Sequence, residues 1–167
     1  GWFTSLSGEG EAVSTNATYK IASVTAAATY YARFQKNWYP VTYAVGDYIE
    51  SVNPTSERVA YGAGITTGST ATVMTDTAQY NYEFDGWYDG DSEIGTELAL
   101  TTGVSNVTAD KTITAKGTRT IQEYTITLAV SPSEAGTTTQ TMQANYGAEV
   151  ALNATPNSGY VFNHWEN

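Results

Sequence analysis

The densest set of groups able to do chemistry is the acidic turn in YEFDGWYDGDSE, which gathers Asp85, Asp89, Asp91 and Glu93. Closely spaced carboxylates are what calcium selects, because it collects several oxygens from one short loop. The stretch lacks the EF-hand spacing, and Leu100 stands where the closing Glu would fall, so a solvated turn is the plainer reading. His164 is the single histidine, so any Ser-His-Asp or Cys-His system has one available base. No GxSxG-like nucleophile elbow accompanies it. Glycoside hydrolysis needs two carboxyl groups about 5–10 Å apart across a cleft. The 17 acidic residues make chance pairs easy, but most fall in turn-like sequence. No catalytic, metal or cofactor site is assigned, and the expectation is a protein that is not an enzyme.

The aromatics are the other candidates. With 4 Trp and 13 Tyr on a β-scaffold, exposed rings could stack on sugars. Those not absorbed into an alternating core pattern are Trp38, Tyr39, Tyr30, Tyr31 and Tyr88. These five carry the alternative reading, a carbohydrate-binding module.

Composition narrows the partners. Lys and Arg number 7 against 17 Asp and Glu, giving a net charge of -10. Nucleic acid and anionic membrane surfaces would repel such a chain. Hydrophobic residues at 41% and aromatics at 13% are enough for a packed core. Charged residues make up only 14% while threonines number 28, which favours strands with hydroxyl-lined outer faces and an all-β fold. There is no cysteine, so packing alone holds the fold. No apolar run approaches the roughly 18–20 residues that span a bilayer. Residues 1–20 lack the basic start and apolar middle of a signal peptide. The chain is thus expected to be soluble inside the cell or a piece of something larger.

What positions these residues is a repeat. VTYAV (41–45) and ITLAV (126–130) are alternating strands, and the step from Val45 to Tyr61 of YGAG equals that from Val130 to Tyr146 of YGAE, at sixteen residues. Tyr61 to Trp87 is 26 residues and Tyr146 to Trp165 is 19; the difference is read as a peripheral insertion in the polar stretch 66–77. Strands are expected near 17–22, 27–34, 39–45, 57–61, 80–89, 96–100, 111–116, 123–130, 137–144, 149–154 and 159–165, with YTITLAV and EVALNA the clearest. A short helix fits 66–79 or 101–108. Phe84 with Trp87, and Phe162 with Trp165, are expected to supply the largest buried faces. Trp2, Trp87 and Trp165 then share one recurring place.

VTYAV…RVAYGAG…YEFDGWYDG…LALTTGVSNVTADKTITAKG resembles the Listeria–Bacteroides repeat, the B-repeat of internalin-type bacterial surface proteins. That family reads as a strand, a Y-G-x turn, a G-Y-x-F-x-G-W aromatic core and a closing T-x-D-x-T-x-x-A strand. Residues Val150 to Trp165 are similar to the V-x-L-x-A-x-P-x-x-G-Y-x-F-x-x-W run of its divergent form. Gly159 and Tyr160 hold places that the central unit writes as Asn81 and Tyr82, and His164 stands where Gly is usual before the Trp.

The resemblance implies small β-grasp-like modules in tandem: 1–34 a back half, 35–118 a complete central repeat and 119–167 a front half. It also implies an extracellular, cell-surface or wall-attached stalk or spacer. Its partners would be a host or bacterial surface protein or a glycan, with no nucleic acid and no membrane insertion. Two arrangements are open: the two half-repeats complete one another, within one molecule or head-to-tail between molecules, or the structural unit begins at the Trp and two such units fill the chain. Under the spacer reading, an affinity gel of immobilised glycans does not retard the chain; retardation that disappears in Trp38→Ala would instead establish the sugar-binding reading.

Overall fold

The computed structural model describes residues 1–139 and 141–166, and among these the regular structure is entirely β. In chain order the strands are β1 (Trp2–Phe3), β2 (Tyr31–Ala32), β3 (Trp38–Val45), β4 (Ile49–Asn53), β5 (Ser56–Ala60), β6 (Ser69–Val73) and β7 (Tyr80–Asp89). They continue with β8 (Ser92–Gly95), β9 (Ala99–Leu100), β10 (Lys111–Ile121), β11 (Glu123–Ile126), β12 (Gly136–Thr138), β13 (Met142–Asn145) and β14 (Ala154–Pro156). No described residue is helical: 66–79 contains β6 instead, and 101–108 is irregular.

The central unit is built from a five-stranded sheet in the order β5-β3-β10-β7-β8 and a three-stranded sheet in the order β4-β6-β9. Strand β10 runs parallel to β3 and antiparallel to β7. Alternation sets the inner face: Val41 and Tyr43 from β3 and Ile113 and Ala115 from β10 are buried while their neighbours point outward. Ile49, Val52, Ala71 and Leu100 join them from the smaller sheet, with Val104 and Val107 from the irregular segment.

Strand β7 breaks the alternation, and the break matters. Its register against β10 passes from Gly86 opposite Lys116 to Phe84 opposite Gly117, leaving Asp85 as an extra residue. In a regular strand residues three apart point to opposite faces; a bulge of one residue restores them to the same face. Phe84 and Trp87 therefore both reach the core, their rings 6.2 Å apart and edge-on.

The repeat recurs at the level of register. Trp38, Tyr39, Pro40 and Val41 face Ala60, Val59, Arg58 and Glu57. With one constant offset, Glu123, Tyr124, Thr125 and Ile126 face Asn145, Ala144, Gln143 and Met142. The Tyr61 N–H donates to Asn37 O at 2.7 Å and the Tyr146 N–H to Gln122 O at 2.8 Å. The glycine that follows is left-handed in both, at φ 78° for Gly62 and 75° for Gly147. Upstream, Trp2 lies between Ser14 and Ala32 as Trp87 lies between Gly95 and Ala115.

Several expectations are corrected. The stretch 66–77 is not peripheral: β6 is the middle strand of the smaller sheet, Ser69 and Ala71 are buried, and Ser69 Oγ donates to Pro54 O at 2.7 Å. No strand forms at 17–22 or 159–165; 27–34 shortens to β2, and of 149–154 only Ala154 enters a strand. YTITLAV is a strand only through Ile126. The region 137–144 divides into β12 and β13, with Gln140 outside the described residues. Two-residue periodicity gives a segment two faces, but a strand also needs a neighbour for its backbone groups. Phe162 and Trp165 are not buried faces, at 48% and 39% exposure, although their rings meet at 5.5 Å.

The outer segments thus carry their apolar side chains openly. Leu6, Val24, Phe34, Tyr146, Val161 and Phe162 are all exposed, and every buried hydrophobic falls between Val41 and Ala115. The accessible surface is 11879 Å² for 17.9 kDa, against about 8,000 Å² for a compact protein of that mass. Trp87→Ala is expected to cost about 3–5 kcal/mol in the main unfolding transition. Trp165→Ala is expected to move the same transition by less than about 1 kcal/mol, both read by denaturant titration.

Candidate functional site

The acidic turn is used internally. Asp89 pairs with Lys111, Asp85 accepts from the Tyr88 hydroxyl at 2.8 Å, and Asp91 and Glu93 are exposed about the β7–β8 hairpin. Among the described residues no three His, Cys, Asp or Glu side chains converge as metal ligands. His164 is exposed, with Nε2 at 2.7 Å from Glu166 Oε1.

The five candidate aromatics are not brought together. Trp38 is 55% exposed at the start of β3. Tyr39 packs against the core and tilts against Tyr61 at 6.4 Å. Tyr30 meets Tyr19 at 6.1 Å in the leading segment, where Tyr31 belongs to β2. Tyr88 lies on β7 with Lys116 Nζ 4.4 Å above its ring.

A different set does converge. Arg119, near the end of β10, has its guanidinium carbon 4.4 Å from the ring of Tyr80 and 5.1 Å from that of Tyr48. Tyr82 completes the group, its ring 5.8 Å from Tyr48 and 6.2 Å from Tyr80. Strand pairing explains part of this, since Arg119 faces Tyr82 and Ile121 faces Tyr80 across β10 and β7. Tyr48 arrives by a strained route. Its φ is 58°, a left-handed value uncommon for a bulky residue. The turn that carries it is tied to the bulge, where the Gly117 N–H donates to Asp47 O at 2.8 Å. A side chain at Gly117 would meet Glu83 O at 2.8 Å and Tyr48 O at 3.3 Å, so only glycine lets the turn come this close.

Chemically this is a donor-rich surface. Among the described residues neither the Arg119 guanidinium nor the Tyr48, Tyr80 and Tyr82 hydroxyls has a protein hydrogen-bond partner. A planar cation held between aromatic faces, in a chain where acids outnumber bases, is suited to receive a carboxylate. Sequence reasoning missed it because the grouping depends on the β7–β10 register and on Tyr48's backbone; the only local signal is the pair Tyr80 and Tyr82 on one face.

A second constellation is structural. The Glu57 carboxylate accepts the Tyr43 hydroxyl at 2.6 Å and the backbone N–H groups of Thr66, Thr67 and Gly68 at 3.0, 3.1 and 2.8 Å. It thereby seats the loop leading into β6. Burial alone would push the Glu57 carboxyl up, but the Tyr43 hydroxyl and the three amides outweigh it and hold the group at about 2. Burial, and next the bond to Glu57, push the Tyr43 phenol up. Because the folded carboxyl is depressed, its stabilisation is complete above the ordinary value of 4.5 and is lost as pH falls toward about 2. Glu57→Gln is expected to destabilise the central unit by about 1–2 kcal/mol at neutral pH. The gap from the parent should close between pH 4.5 and 2, as measured by thermal melts across that range.

Comparison with known proteins agrees with the repeated registers. Residues 39–116 match the Listeria-Bacteroides repeat domain, and residues 126–167 match the divergent InlB B-repeat domain. No curated protein and no solved structure matches the chain. The central unit is thus a Listeria–Bacteroides repeat and the following unit a divergent InlB B-repeat, modules of repeat families found in bacterial surface proteins.

Proposed function

We propose that this chain is a non-enzymatic, extracellular spacer segment of a bacterial surface protein, which sets other domains at a distance and offers an adhesive face. The observation that carries the reading is the junction between the two units. Strand β10 ends at Ile121 and β11 begins at Glu123, with Gln122 alone between them. That residue is tied back to the central unit, its N–H donating to Gln79 O at 2.9 Å, and the Tyr124 hydroxyl donates to Ala78 O at 2.7 Å. A one-residue, hydrogen-bonded joint spaces modules where a Gly- or Ser-rich linker would leave them free to collapse together.

The adhesive face is the cluster of Tyr48, Tyr80, Tyr82 and Arg119. It favours a ligand bearing a carboxylate, whether on a partner protein or on an acidic sugar, over the stacking role first considered for Trp38. Small-angle scattering tests the spacer. A compact globule of 167 residues has a radius of gyration of about 15 Å, and the expected value exceeds that by about a third, independent of concentration. A value near the compact figure would overturn the reading.

A further inference from the structure

We infer that the central repeat is a load-bearing module in which β3 and β10 form a shear clamp against tension along the chain. The inference takes its biological purpose from the spacer reading, but its mechanics rest on topology alone.

The chain enters the module at Trp38, the start of β3, and leaves it at Ile121, the end of β10. These two strands are immediate neighbours and parallel, paired from Val41 with Lys111 through Val45 with Ala115. In a parallel pair the entry of one strand and the exit of the other lie at opposite ends. Tension therefore draws β3 and β10 in opposite directions along their common axis. The bonds between them lie across the pull and must yield together. The antiparallel β3–β5 pair has the contrary geometry, with Trp38 opposite Ala60 at one end, so force applied there would part the pairs one after another.

Three further features strengthen the clamp. Strand β10 is interior, so it is held by β7 from Ile113 to Ile121 on its other side. The clamp is prolonged past the end of β3, where the Gly46 N–H donates to Ala115 O and the Gly117 N–H to Asp47 O, both at 2.8 Å. A side chain at Gly46 would stand 2.5 Å from Ala115 O, so glycine is what permits the close approach. Beneath the pair, Val41, Tyr43, Ile113, Ala115 and Trp87 are at most 2% exposed, which keeps water from competing for the loaded bonds. Load leaving at Ile121 passes through one residue to β11, whose pairing with β13 repeats that of β3 with β5.

Single-molecule pulling tests the clamp on the intact chain. The sequence has no cysteine, so introduced thiols are unique attachment points. Lys36→Cys with Glu123→Cys applies force in the natural direction; Lys36→Cys with Tyr61→Cys opens the antiparallel β3–β5 pair from its end. All three positions are exposed, and melting of both variants verifies that they fold alike. At equal pulling speed the first pair is expected to rupture at about twofold higher force or more, since forced unfolding follows the barrier and not the equilibrium stability. Equal forces, or a lower force in the first geometry, would overturn the clamp. An extended particle in scattering with weak rupture in the first geometry removes the clamp and keeps the spacer, whereas a compact particle with strong rupture does the reverse.

Discussion

Closing one indole ring away from water is the constraint on which the central unit depends. Trp87 is fully buried, and its Nε1–H must still find an acceptor, which it does at Glu97 O and Leu98 O, 3.1 and 3.3 Å away. Tyr43 and Phe84 pack against it in T-shaped arrangements with ring centroids 5.9 and 6.2 Å away, and Ala115 on β10 and Gly95 on β8 stand opposite it. Burying such a ring is worth about 4–6 kcal/mol before entropy, against a total stability of about 5–15 kcal/mol for an ordinary domain. The bulge at Asp85, the small residues at 95 and 115 and the path of residues 96–98 are all arranged around that ring.

Trp2 and Trp165, the tryptophans at the other two recurring places, each keep a different part of this arrangement. Trp2 has strand neighbours on both sides and its Nε1–H donates to Asn16 O at 3.1 Å, much as Trp87 uses the segment that follows it. Trp165 keeps its phenylalanine three residues upstream and little else. Of these three rings only that of Trp87 is sealed. Trp87 and Trp165 share the F-x-x-W spacing and still differ in burial, so the difference follows from which neighbouring segments pack on them.

The repeat, the all-β character and the YG turn were legible because each leaves a local mark: a fixed spacing, many threonines and a left-handed glycine. Strand β6 was not, because Ser69 and Ala71 are small and their burial leaves no hydrophobic signal in STATV. EVALNA and YVFNHW erred in the other direction, since their alternation is real but no strand pairs with most of either. The bulge at Asp85 and the tyrosines around Arg119 could not be read at all, because both depend on how β7 aligns with β10, some thirty residues away.

The parallel pairing of β3 with β10 also dictates the order of assembly. Because β10 fills the place between β3 and β7, the five-stranded sheet stays in two parts, β5-β3 and β7-β8, until residues 111–121 join them. A chain folding from its N-terminus therefore closes this sheet last, and long-range closure of this kind is slow compared with local hairpin formation. Strands β4, β6 and β9 need no part of β10 to pair, so the late event is the joining of two finished halves of one sheet.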